Sequence, residues 1–169
     1  PRVAINVERS LGQAVSEKGY ATVPASEREG VSEPAPAIEA YEDMLHESWR
    51  DHLPPDKQQD AALARQDDEF RRFVESQLVW DRAMAQGIVD AARQKPGAVV
   101  VGLMGSGHVI HGWGVSHQLQ QMGRKAPLAL LPWDRDDDCA SLVPDLADAV
   151  FGVAEPPPTA TVARPRLGI

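Results

Sequence analysis

Apolar positions change period several times along the chain, and each change predicts an element. Residues 3–7, Val-Ala-Ile-Asn-Val, are extended and β-branched and predict a strand. From Glu8 to Lys18 the apolar positions Leu11, Ala14 and Val15 fall on one helical face, with Gly19 as the stop. Residues 20–36 carry Pro24, Gly30, Pro34 and Pro36 and predict a loop. A second helix is expected from Ala37 to His52, ended by Pro54-Pro55. Residues 56–66 are polar and alanine-rich and suit either a short helix or a link. A long helix is expected from Asp67 to Lys95, stopped by Pro96-Gly97.

Beyond it the period returns to that of a strand over 98–103, which runs into a glycine turn. A short helix (115–122), a strand (127–131), an acidic loop (134–138) and a last strand (147–153) follow. The tail from Glu155 is proline-rich and reads as extended or disordered. This order predicts an α/β fold, with a mainly parallel sheet flanked by helices and a helical insert at 37–66. A chain that opens directly on a strand, with no initiator Met, reads as part of a longer domain or as a processed start.

Charge narrows the partners. The 169 residues carry a net charge of −8, which speaks against nucleic acid as a partner, because a phosphate backbone calls for a basic face. A single cysteine, Cys139, excludes an internal disulfide and a cysteine-rich metal site.

The long helix carries a chemical signal. With Phe70 at the origin of a helical wheel, Phe73, Val74, Met84, Ala85 and Ile88 fall within about 60° of it, and so do Gln77 and Asp81. Arg72, Glu75, Val79, Gln86 and Asp90 fall on the opposite side, expected to face solvent. A carboxylate in an apolar stripe needs a polar partner. For Asp81, with Gln77 in support, that partner is either a site histidine or ligand, or else a backbone cap or arginine in the core. His108 is the natural candidate, because its strand directly follows the helix.

The strand 98–103 ends in Gly105-Ser106-Gly107-His108. Ligands bind at strand carboxyl ends in α/β sheets, where glycines permit sharp turns and close approach. The dinucleotide fingerprint fails because Ile stands at 110, and the phosphate loop fails because His108 follows Gly107. Ser106 lacks the flanking glycines of a nucleophile elbow. Asp134–Asp138 lacks the glycine and glutamate of a calcium loop, Cys139 and Asp145 standing in their places. His108, His111 and His117 lie within ten residues and suit a metal or haem iron, or else a solvated loop and helix surface. Tyr20 and Tyr41, the two tyrosines, each either pack or ligate ferric haem iron.

The segments Gln77-Leu78-Val79-Trp80-Asp81-Arg82-Ala83-Met84-Ala85 and Gly105-Ser106-Gly107-His108-Val109, followed by Gly114-Val115, together resemble the ChaN-like family of bacterial haem-binding, iron-regulated proteins, often lipoproteins. The resemblance covers residues 1–153 and implies the C-terminal portion of a ChaN-like domain, since the Gly-Glu-x-His motif of the family's first half does not occur here. It implies haem as cofactor, a homodimer, iron uptake, and a cell-envelope location with any lipid anchor upstream of these residues. The implied cofactor-binding residues are Tyr41, His108, His111, Gly105 and Gly107, with Asp81 and Gln77 behind them, and no separate metal ion. A more distant similarity to the TIKI/TraB and erythromycin-esterase groups implies an alternative, a metal-dependent hydrolase using His108 and Asp81. The tail, 154–169, ends in Arg164–Ile169, which resembles the start of a PDZ domain.

Overall fold

The computed structural model describes residues 2–55, 58, 65, 67–134 and 139–154. Four helices carry the architecture: α1 (Arg9–Lys18), α2 (Glu39–His52), α3 (Asp68–Gln94) and α4 (Val115–Gln121). Two short parallel strands follow, β1 (Leu130–Asp134) and β2 (Ala149–Val153), paired with Leu130 opposite Ala149. The α/β class read from the sequence holds. Helix ends lie within two residues of expectation, because each is set by a local signal. Asp67 caps α3 by accepting the Glu69 N–H, and Gly19 (φ 80°) ends α1.

The long helix α3 is the axis on which the other elements pack, and here one expectation fails. The wheel sends Val79 to solvent, yet Val79 is 1% exposed, packed with Leu11, Val15 and Ala83. A single apolar stripe describes a helix that meets one neighbour. α3 meets three, with α1, α2 and α4 on different sides. The second cluster joins α2 and α3 through Tyr41, Leu45, Trp49, Phe70, Val74 and Leu78. The third joins α3 and α4 through Met84, Ala85, Val89, Val115 and Leu119.

The strand expectations need correction. Residues 3–7 and 98–103 are not strands; among the described residues ladder pairing is confined to β1 and β2. The expected strand 127–131 begins only at Leu130 and runs on to Asp134, which is therefore not loop. The last strand starts at Ala149, not 147. A strand exists only through its neighbours' hydrogen bonds, and β-propensity supplies none. Segment 98–103 nevertheless has two faces. Val100 is half-buried and Gly102 lies against Ile88 of α3, while Val99 (90%), Val101 (74%) and Leu103 (87%) stand in solvent. The loop 20–36 holds two short 3-10 turns, Tyr20–Thr22 and Ala25–Glu27. Most of 56–66, the acidic residues 135–138 and the tail 155–169 lie outside the described residues.

Candidate functional site

Asp81 sits midway along α3 and is completely buried. Its Oδ1 accepts from His108 Nδ1 at 2.7 Å, and its Oδ2 accepts from the Tyr41 hydroxyl at 2.8 Å. The three residues come from three separate elements: α2, α3 and the turn Ser106–His108. Burial raises the Asp81 carboxyl above the usual carboxylate range, and the hydrogen bonds from His108 and Tyr41 pull against that rise. Burial also pushes the Tyr41 phenol up, with the Asp81 charge adding to the shift. A phenol so placed keeps its proton and spends it on Asp81.

The hydrogen bond to Asp81 decides the chemistry of His108. With Nδ1–H donated to a carboxylate, the lone pair of the neutral ring is on Nε2. This is the arrangement in which histidines ligate metals, with a carboxylate fixing the tautomer and raising ligand basicity. The His108 side chain is 18% exposed and lines a cleft of about 380 Å³. Its apolar lining comes from Met44, Leu45 and Phe73 with the Tyr41 ring. Its polar lining comes from Ser48, His52, Gln77 and the loop Gly105–His108. Trp80 meets the His108 ring edge-on, centroids 6.2 Å apart.

The sequence-derived candidates thus divide. Tyr41, Gln77, Gly105, Gly107 and His108 share the cleft, and Asp81 stands behind it. His111 is drawn elsewhere: its ring stacks on Trp113 at 4.2 Å and its Nδ1 lies 3.2 Å from the Asp145 carbonyl oxygen. His117 lies on α4 with Nε2 at 3.0 Å from the Pro36 carbonyl oxygen. The three histidines close in sequence therefore do not converge, and no group of three metal-binding side chains occurs among the described residues. Tyr20 packs, its hydroxyl donating to the Val31 carbonyl.

The glycines also act differently from expectation. Gly105 has φ −61°, which any residue adopts, and a Cβ at Gly107 would meet nothing within 4 Å. The sharp turn is made by His111 (φ 56°) and Gly112 (φ 67°). The glycine that the site requires is Gly114, where a Cβ would stand 2.8 Å from the His108 carbonyl oxygen and 2.9 Å from Asp81 Oδ1. Sequence reasoning gave it no role, because close backbone approach leaves no mark in a single sequence. His52 lines the cleft and was also passed over; its Nδ1 lies 2.6 Å from the Ser48 carbonyl oxygen.

The residues fit a haem in two respects. An imidazole with its Nδ1 anchored and its Nε2 open can ligate haem iron, and the apolar lining side chains suit a porphyrin. No curated protein and no solved structure matches the chain. A family model described as haem-binding uptake, Tiki superfamily, ChaN matches residues 1–119, short of the 153 over which the sequence resemblance extends. The chain belongs to this haem-binding uptake family, and all three members of the buried Tyr41–Asp81–His108 constellation lie within the matched residues.

Proposed function

We propose that this chain binds haem in the cleft between α2, α3 and the 105–108 turn, with His108 Nε2 as the iron ligand, as part of haem uptake. The observation that carries this reading is the 2.7 Å contact between His108 Nδ1 and the fully buried Asp81. Bound there, haem would supply an iron for His108 to ligate. The chain's own residues do the rest. Asp81 holds the ring tautomer, Trp80 packs edge-on against the ring, and Met44, Leu45 and Phe73 supply apolar surface in the cleft. A hemin titration of the intact protein tests this. A saturable change in the Soret band is expected, lost or shifted in His108→Ala and kept in His117→Ala. No saturable change in the parent protein removes the reading.

The chain serves as the C-terminal portion of a larger α/β domain. In support, Val99, Val101 and Leu103 stand in solvent on the side that a parallel sheet covered on both faces would bury. Haem shared by two copies, and tethering to the cell envelope by an upstream lipid anchor, complete this picture. Light scattering with and without hemin tests the first, and fractionation of the natural host the second.

The same Asp81–His108 pair also favours a second reading. A histidine oriented by a buried carboxylate is the base half of a hydrolytic site, so a metal-dependent hydrolase is the alternative. Bound metal in the intact protein, lost in His108→Ala, would favour it over haem.

A further inference from the structure

We propose that the Tyr41 hydroxyl does not ligate the bound group but sets the donor strength of His108 through Asp81. Asp81 has two oxygens and two partners: Oδ1 takes the His108 N–H at 2.7 Å and Oδ2 takes the Tyr41 O–H at 2.8 Å. The two bonds draw on one negative charge. Whatever density the phenol withdraws through Oδ2 is unavailable to the imidazole at Oδ1, and a weaker acceptor at Nδ1 makes Nε2 a weaker donor. Among the described residues only His108 and Tyr41 hydrogen-bond the Asp81 side chain, which is wholly enclosed, while His117 acts on it only through its charge.

Tyr41 is built for this task and poorly suited to contact iron. It is 1% exposed and its ring is wedged among Leu45, Trp49, Phe70 and Leu78. To ligate iron as a phenolate it would have to give up its proton beside a buried carboxylate, which burial and the Asp81 charge both oppose. It lies on α2, forty residues before Asp81, so its hydroxyl meets Oδ2 only because α2 and α3 pack together. The relay Tyr41–Asp81–His108 therefore links the register of the α2–α3 interface to the electronic state of the cleft imidazole that a buried carboxylate holds.

Tyr41→Phe tests this, because the ring is kept and with it the packing. In the unliganded protein, the His108 Nδ1–H proton resonance is expected to move downfield in Tyr41→Phe, as Asp81 concentrates its charge on the remaining donor. Asp81→Asn is expected to move the same resonance upfield. An unmoved resonance in Tyr41→Phe overturns the proposal, and this arm needs no haem. The second arm rests on the haem reading. Hemin-loaded Tyr41→Phe should keep the parent Soret maximum, showing that the ligand is unchanged, while its reduction potential falls. Loss of the parent's iron spectrum in Tyr41→Phe would make Tyr41 the ligand and overturn the proposal. If the parent takes up no hemin, the haem reading fails and the resonance arm alone decides the relay.

Discussion

Replacing Asp81 by asparagine keeps the shape of the side chain and removes its charge; replacing it by alanine removes both. The two changes should differ sharply in cost. Hydrogen bonds to charged groups contribute about 1.5–3 kcal/mol each, and Asp81 accepts two, at 2.7 and 2.8 Å. Against them stands the desolvation of a completely enclosed carboxylate, itself several kcal/mol. The terms nearly cancel. Asparagine retains an oxygen for His108 Nδ1–H and turns an N–H₂ group toward the Tyr41 oxygen. Asp81→Asn is therefore expected within about 1 kcal/mol of the parent stability. Alanine leaves the Tyr41 hydroxyl, in a residue 1% exposed, with no partner and opens a small cavity. It should cost about 2–4 kcal/mol, or roughly 5–15 °C in melting temperature for a chain of this size.

The charge has a pH signature as well. The folded-state value for Asp81 lies above its ordinary 3.8, chiefly because burial disfavours the anion. Between 3.8 and that raised value the folded protein holds a proton that the unfolded chain has released. Unfolding free energy therefore falls as pH rises through this window. Below the window both states are protonated and Asp81 adds no slope. The stability difference, Asp81→Asn minus parent, should grow in favour of asparagine as pH rises from 3.8. Urea titrations of parent, Asn and Ala variants across the acid range measure this. Equal losses for Asn and Ala, or an Asn–parent difference independent of pH, would refute the argument.

Three further outcomes are expected. Gly114→Ala should cost about 1–3 kcal/mol and displace His108, because the new Cβ meets the His108 carbonyl and Asp81 Oδ1 inside 3 Å; a variant of parent stability with unchanged His108 resonances would count against that crowding. Gln118 is fully buried and pairs with both backbone groups of Ala35 at 2.9 Å. Gln118→Leu should lose about 1–3 kcal/mol in a denaturant titration, whereas a neutral result would mean that water replaces the amide. Val101→Lys and Leu103→Lys should leave stability within about 0.5 kcal/mol, since both side chains are exposed. They should reduce concentration-dependent association in light scattering if that apolar face is sticky.

Much of the molecule was legible in the chain because its signals are local. Helix ends follow from the Asp67 cap, Gly19 and the Pro54-Pro55 stop, which act on the residues beside them. Periodicity placed Asp81 in an apolar stripe, and burial of the carboxylate confirms that position. It misplaced Val79, since a wheel encodes one buried face and α3 has several neighbours. It also named strands at 3–7 and 98–103 from side chains alone, whereas a strand is a relation between two backbones.

The same division runs through the site. That a carboxylate on a long helix and a histidine after a glycine turn both need partners follows from the chain alone, because burial of charge and the chemistry of imidazole hold in any fold. That they partner each other, that Tyr41 takes the second carboxylate oxygen, and that the His111 and His117 rings bond to other backbone carbonyls follows from packing. Those outcomes depend on how α2, α3 and the 105–114 loop pack, and on a missing Cβ at Gly114 that lets the loop come close. Contacts between residues twenty-seven and forty positions apart are set by that packing, which no local pattern in a single chain records.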